Sequence, residues 1–431
     1  MPKKPNVIIF YTDDQGTMDA NCYGAKDLKT PALDSLAEKG IRFTRAYAHT
    51  VCCPSRSALL TGRYPQRSGV NEWTDNHPRI GDKICMKLEE PTIARELKQA
   101  GYKTALFGKW HLGADINHCP TEFGFDEFFG HRCGFIDNYK HQFLHCQPSR
   151  PPFHDLWRDK EEIFENGSYF PDLVVREATR FLNEHNTDDP FFLYLPFNLP
   201  HYPYQADEKF TSLYQDLPCP RNLYAPMVST VDDRIGQVLA LLDEKGLRDN
   251  TLIIYMSDNG HSTESFNHWG VEYGAHGGGG YAGEWTGHKS TFYEGGIRVP
   301  AIISLPGEIP CGEVRHQTIT NMDYFPTILE FLGLPLPDKQ LDGKSLWPLI
   351  KDPQAETSHT TLNFQWQNSW CTVENDWKLI FNRQGRKELV RLSDKKPERI
   401  DYINARSGID KRLTEIHNNW SLDVFDGDIP V

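Results

Sequence analysis

Residues 50–63, Thr-Val-Cys-Cys-Pro-Ser-Arg-Ser-Ala-Leu-Leu-Thr-Gly-Arg, set a reactive group, a cation and a helix start side by side. Pro54 suits the first turn of a helix, whose start leaves backbone N–H groups and the positive end of the dipole beside Cys52. An oxyanion could sit there. Arg56 adds a permanent charge with a fork suited to a tetrahedral oxyanion, Leu59 and Leu60 anchor the helix, and Gly62 can end it. A lone cysteine is ordinarily a small buried hydrophobe. The neighbours of Cys52 argue for chemistry instead.

A second group of oxygen ligands lies elsewhere in the chain. Asp13-Asp14 directly follows an apolar run at 6–11, and Asp258-Asn259-Gly260 directly follows another at 251–257. In a largely parallel sheet both pairs emerge at the carboxyl edge, where sites of open α/β folds assemble. Either pair alone is as readily a turn or a helix cap. Together, three carboxylates and an amide oxygen form a hard site suited to Ca²⁺, with Mg²⁺ as second choice.

The elements that must position these residues read as an α/β fold: a large, mostly parallel mixed sheet between helices, followed by a small C-terminal antiparallel sheet with a helix. Strands are expected at 6–11, 103–107, 191–195, 251–257 and 301–305. Helices are expected at 31–39 (Thr30 as cap, Pro31 at the first position, Gly40 as stop), at 92–100, and at about 225–245, where Val231, Ile235, Val238 and Leu242 fall at helical spacing. From 356 the texture changes to short strands, Thr361–Phe364, Trp370–Glu374, Trp377–Phe381 and Lys387–Arg391, and a charged helix near 408–417. We therefore divide the chain into a catalytic α/β unit, 1–355, and a small α+β unit, 356–431, with Leu332–Pro337 and Lys351–Glu356 as connectors.

Composition narrows the partners. The 46 basic and 59 acidic residues give a net charge of −13, which argues against a nucleic-acid or other polyanion surface and leaves anion recognition to cations within a cleft. No run approaches a membrane span. A buried strand at 6–11 leaves no room for a signal peptide, so the chain as it stands reads as cytoplasmic; a trimmed leader would make it periplasmic, secreted or lysosomal. Ten scattered cysteines imply no disulfide framework, and Asn166-Gly-Ser and Asn419-Trp-Ser match glycosylation acceptors only as short strings.

The string Cys52-x-Pro54-Ser55-Arg56, continued by Leu-Thr-Gly-Arg, resembles the signature of formylglycine-dependent sulfatases of the alkaline phosphatase superfamily. Thr50 is a small departure from that pattern, and the spacing selects Cys52 over Cys53. Gly101-Tyr-Lys-Thr-Ala-Leu-Phe-Gly-Lys109-Trp-His111-Leu-Gly resembles the second signature, and Leu199-Pro-His201-Tyr-Pro and Lys289-Ser-Thr-Phe-Tyr-Glu-Gly-Gly-Ile-Arg-Val-Pro match further motifs in the family's order. The resemblance implies a sulfuric ester hydrolase in which a maturation enzyme oxidises Cys52 to formylglycine (3-oxoalanine). The hydrated aldehyde is then the nucleophile. It also implies that Asp13, Asp14, Asp258 and Asn259 ligate the metal with the oxygen at position 52, and that Arg56 and Lys109 surround the sulfate. His111 would take the proton that drives elimination, and His201 and Lys289 would hold the ester oxygen, with His201 as general acid. Glu294 and Arg298 read as a structural turn. The tail string Trp377-Lys-Leu-Ile also resembles the family, whereas Leu389-Val-Arg-Leu-Ser-Asp departs from its usual form.

Between Gly260 and Lys289 lies a long segment without regular periodicity, in which Glu264, His268, Trp269, His276 and Trp285 could hydrogen-bond and stack a sugar ring. A sulfated carbohydrate is therefore the expected substrate, although the same segment reads equally as a mobile lid over packed aromatics. A phosphonate or phosphate ester hydrolase of the superfamily and a non-catalytic metal-binding relative are the rival readings. Cys52, Arg56, Lys109 and His201 are all present, which disfavours the last of these. The sequence is silent on oligomeric state.

Overall fold

The computed structural model describes residues 4–74, 84–144, 152–186, 189–268, 271–274 and 276–427. Ten strands form one sheet, in the order Glu313–Thr320, Ile41–Tyr47, Arg298–Ser304, Thr251–Ser257, Asn6–Thr12, Phe191–Pro196, Lys103–Lys109, Glu127–His131, Trp157–Arg158 and Glu161–Glu162. The five strands from Thr251–Ser257 to Glu127–His131 are parallel. Asn6–Thr12 is flanked on both sides by parallel neighbours, Thr251–Ser257 and Phe191–Pro196, and is buried throughout. Its Val7, Ile9 and Tyr11 join one core cluster and its Ile8 and Phe10 the other, which is why the run shows no polar alternation. Helices Pro31–Glu38, Phe170–Glu184 and Arg221–Glu244 cover one face through Leu33, Val174 and Val231. Helices Cys52–Thr61, Ile93–Gln99 and Tyr324–Phe331 cover the other through Leu59, Ile93 and Ile328.

The topology brings the motifs to one edge. The parallel strands end at Thr12, Lys109, Pro196 and Ser257. Arg298–Ser304 is antiparallel to both of its neighbours, so it enters the sheet at that same edge, and Ile41–Tyr47 leaves the sheet there on its way to Cys52.

Four expected features differ. Ile41–Tyr47 and Glu313–Thr320 were not expected as strands because Arg42, Thr44 and Arg45, and Arg315, His316 and Gln317, interrupt their apolar character; Glu313–Thr320 is an edge strand that pairs only with Ile41–Tyr47. Glu127–His131 is short and contains Gly130 at φ 152°, where a side chain would collide with the Gly108 carbonyl. The long helix begins at Arg221, ahead of the expected start, and carries Pro226 inside it. Within the segment 260–289, expected to be irregular, Ser265–His268 and Val271–Gly274 form an antiparallel pair.

Toward the C-terminus, Thr361–Trp366, Ser369–Glu374, Trp377–Phe381 and Lys387–Arg391 form a four-stranded antiparallel meander, followed by helix Ser407–Val424. One face of this sheet packs Leu362, Phe364, Trp366 and Ile380 against Tyr47, Val51, Phe292 and Ile297, which flank Cys52 and the Lys289 turn. Its other face contributes Leu379 and Leu389 to a cluster with Leu413 of the helix.

Candidate active site

Cys52 is the first residue of helix Cys52–Thr61, entered from an extended Val51 (φ −147°, ψ 160°) and closed by Gly62 at φ 65°. The helix start is tied to the edge of the sheet by Ser55, whose hydroxyl donates to the Asp258 carbonyl and accepts the His49 N–H at 2.7 Å. The two carboxylate loops are joined directly: Asp258 N–H donates to the Thr12 carbonyl (3.0 Å), and Asp14 N–H donates to Asp258 Oδ1 (3.1 Å). Asp13 N–H donates to the Leu199 carbonyl (3.0 Å), which ties in the His201 loop.

The thiol of Cys52 is 1% exposed and donates to Asp13 Oδ1 at 3.3 Å. Lys109 Nζ donates to Asp13 Oδ2, and Arg56 Nη2 lies 2.8 Å from Asp258 Oδ2 and 3.7 Å from Asp13 Oδ2. Lys289 Nζ donates to Asp14 at 3.0 Å and stands 3.5 Å from Glu264. His201 Nδ1 bonds the Tyr202 carbonyl at 2.6 Å. A carbonyl only accepts, so Nδ1 carries the proton and Nε2, 3.5 Å from Asp14 Oδ2, faces the site. Ligand atoms of Asp13, Asp14, Cys52 and His201 all lie within 4.8 Å of one another.

Charge is unevenly balanced in this pocket. Burial would raise the Asp13 carboxyl, but the cations Lys109, Arg56 and Lys289 outweigh it and hold it well below the usual range. Asp14 is pushed up to about 7 by burial and by the neighbouring Asp13 and Asp258 carboxylates, against Lys289. Asp258 is pushed up to about 6 by burial and Asp13. Asn259 Nδ2 donates to Asp14 Oδ1 at 2.6 Å, while its Oδ1 is buried without a partner among the described residues. Crowded carboxylates together with an orphaned buried amide oxygen fit a divalent cation. Asp258 differs from the other carboxylates in that Arg56 already engages its Oδ2 through Nε and Nη2.

The surroundings of both histidines favour the neutral ring. Burial and then Lys109 and Arg56 lower His111 well below its ordinary value, and burial and then Lys289 do the same for His201. His111 sits at φ 55° with both ring nitrogens buried and unpartnered among the described residues, stacked on Trp73 at 6.1 Å. Of the residues singled out for a sugar, Glu264 reaches the site, accepting from Tyr202 Oη (3.1 Å) beside Lys289. His276 packs 6.0 Å from Tyr204, and Trp285 lies under the Arg298 guanidinium at 4.0 Å. Trp269 and the side chain of His268 lie outside the described residues. Glu294 is buried against Lys378, Arg298 (3.1 Å) and Tyr47 (2.9 Å). Sequence reasoning passed over Trp73, Tyr202 and Phe135, which wall His111, Lys289 and His201. Tyr202 was visible within the His201 string, whereas nothing local marks Trp73 or Phe135.

The Sulfatase family model matches residues 5–334, and the model for the C-terminal region of N-sulphoglucosamine sulphohydrolase matches 283–410. Arylsulfatase J of Mus musculus is 32% identical over 413 residues, covering 93% of this chain and 66% of that protein. N-acetylgalactosamine-6-sulfatase of Homo sapiens is 34% identical, covering 81% and 66%. The chain thus spans about two thirds of the length of these relatives. The crystal structure of Ps i-CgsB superposes with a TM-score of 0.86 at 28% identity, covering 99% of this chain and 94% of that one; its complex with k-i-k-neocarrahexaose gives 0.85. No helix among the described residues is long and apolar enough to cross a membrane.

Proposed function

From the premise that this chain belongs to the sulfatase family, we propose that it hydrolyses a sulfate monoester of a carbohydrate and releases inorganic sulfate. The observation that carries this reading is the convergence of Cys52, Asp13, Asp14 and His201 within 4.8 Å, ringed by Arg56, Lys109 and Lys289. The Cys52 Sγ stands where the oxygens of a formylglycine hydrate would be, and that group would supply the nucleophile. Asp13, Asp14, Asp258 and Asn259 would hold Ca²⁺, or Mg²⁺ as second choice, whose chemistry is to neutralise charge on the sulfate oxygens.

The remaining work falls to the chain's own side chains. Lys109 and Arg56 are oriented by Asp13 and Asp258, so their charges are fixed before substrate arrives. Lys289 faces the ester side of the pocket. His201 turns the lone pair of Nε2 toward the site. An incoming sulfate counters the influence of Lys289 and raises the proton affinity of that nitrogen, so that it takes up a proton from water and can pass it to the leaving oxygen. His111, kept neutral, is a base whose ring is held by Trp73.

A saccharide fits better than a purely apolar alcohol because Glu264 and Tyr202 offer hydrogen-bonding groups beside Lys289 and Trp73 an aromatic face. Similarity to N-acetylgalactosamine-6-sulfatase and to a structure holding k-i-k-neocarrahexaose supports the same choice. The test is release of sulfate from sulfated mono- and disaccharides and from an aryl sulfate, against matched phosphate esters, with Cys52→Ala as control. Sulfate release that survives in Cys52→Ala, or preferential turnover of the phosphate esters, would overturn the reading.

A further inference from the structure

The turn between strands Trp377–Phe381 and Lys387–Arg391 is unusually well held for an exposed hairpin tip. Asn382 Oδ1 accepts the N–H groups of Gln384 (3.1 Å) and Arg386 (3.0 Å), Asn382 N–H donates to the Arg386 carbonyl (3.0 Å), and Gly385 takes φ 75°. Arg383, on this turn, is exposed, yet its guanidinium lies 4.0 Å over the ring of Trp366. Among the described residues it has no hydrogen-bond or ion-pair partner, in a chain of net charge −13 where most arginines find a carboxylate. The carboxylate whose field reaches it is that of Glu264, which stands beside Lys289.

Trp366 in turn is 1% exposed and meets Trp73 edge-on at 5.3 Å. Trp73 stacks on His111 and carries Lys289 Nζ 5.8 Å from its ring centre. A continuous wall therefore runs from His111 and Lys289, through two tryptophan rings, to an unpaired guanidinium contributed by the C-terminal sheet. Its place over Trp366 leaves guanidinium N–H groups without a partner among the described residues, and such a fork is suited to a bidentate oxyanion. We propose that Arg383 recognises a second anionic group of the substrate, a carboxylate or a further sulfate on the sugar adjoining the one that is cleaved. This rests on the sulfatase reading above and deepens it from a sulfated saccharide to a polyanionic one.

The test uses three disaccharides: a hexosamine 6-sulfate joined to a neutral sugar, the same unit joined to a uronate, and the same unit with a second sulfate. Binding to the inactive Cys52→Ala protein is measured by calorimetry, and KM by sulfate release, for Arg383, Arg383→Ala and Arg383→Lys. The expected result is that the parent protein prefers at least one doubly anionic disaccharide, and that Arg383→Ala erases that preference by about tenfold, the size of one charge-assisted contact. Arg383→Lys should restore only part of it, because an ammonium lacks the fork. The uronate and disulfate arms identify which anion is read. Equal affinity of the parent protein for all three compounds, or an equal loss on all three in Arg383→Ala, would overturn the proposal. Failure of the sulfatase reading would show separately, as absent sulfate release from every ester, while the binding arm still decides Arg383.

Discussion

Lys378 offers the sharpest test of how the C-terminal sheet serves the active site. Its Nζ is fully buried between Glu294 Oε1 (2.6 Å) and Glu398 Oε1 (3.0 Å). Glu398 also accepts the N–H groups of Glu294 (2.9 and 3.0 Å) and Thr286 (3.3 Å), so it clamps both ends of the turn that carries Lys289. Lys378→Met keeps the volume and removes the charge. Glu294 retains Arg298 and Tyr47, but Glu398 keeps only backbone donors, so one buried carboxylate loses its cation. Breaking a buried pair from one side costs ~3–5 kcal/mol, and uptake of a proton by Glu398 favours the lower end.

A turn released in this way misplaces Lys289, and a shift of about 1 Å in a positioning group lowers turnover on the order of 10²-fold. Urea unfolding gives the first number and aryl sulfate hydrolysis the second. The sign with pH is also fixed. In the parent protein, burial raises Glu294 but Lys378 and Arg298 overcome it and hold it at about 2, below its unfolded 4.5. That stability is present above pH 4.5 and is lost as pH falls towards 2. Glu398, raised by burial, loses Lys378 in the variant and rises further. A carboxyl raised in the folded state destabilises as pH increases, so the deficit of Lys378→Met should be larger at pH 8 than at pH 5. Adding Glu398→Gln removes the orphaned charge and should recover part of the loss. A double variant no more stable than Lys378→Met, or a deficit independent of pH, would refute the argument.

Three further outcomes are expected. Peptide mass spectrometry should find the aldehyde at Cys52 and an unmodified thiol at Cys53, and Cys53→Ala should stay active; an aldehyde at Cys53 would reverse the assignment. Asp14→Asn should abolish the rise in melting temperature that Ca²⁺ gives the parent protein and should reduce turnover by orders of magnitude, because among the described residues Lys289 is the one permanent cation within ion-pair distance of this carboxylate. An unchanged calcium-dependent melting shift would show that the ion binds elsewhere. His201→Ala should depress hydrolysis of sugar sulfates far more than that of activated aryl sulfates, since a good leaving group needs little protonation, and equal losses on both would remove His201 as the acid.

The residues to which we assign the chemistry are legible because each lies within a few positions of a strand end or helix start, and those boundaries carry local signals. Asp13 follows an unbroken apolar run, Lys109 and His111 sit in a glycine-flanked turn, and Pro54 marks the helix of Cys52. The central strands and the C-terminal meander followed from the same short-range patterns. Strands Ile41–Tyr47 and Glu313–Thr320 did not, because charged and polar residues interrupt their apolar pattern.

What surrounds the chemistry is encoded differently. Trp73 meets His111 and Trp366, Glu398 meets Thr286 and Glu294, and Arg383 reaches the Trp366 face, all across long stretches of chain with no periodicity to announce them. Two kinds of information are therefore separable in this protein. Short strings at the sheet edge fix the charge pattern of the cleft, and under the proposed function substitutions there should change whether the reaction occurs. The wall built by Trp73, Trp366 and Arg383 draws on the C-terminal sheet, which the Lys378 clamp holds in register with Lys289. Its hairpin tip can vary without touching Asp13, Arg56 or Lys109. Relatives that share the strings but differ at this tip should consequently differ in which ester they accept while cleaving it by the same set of groups.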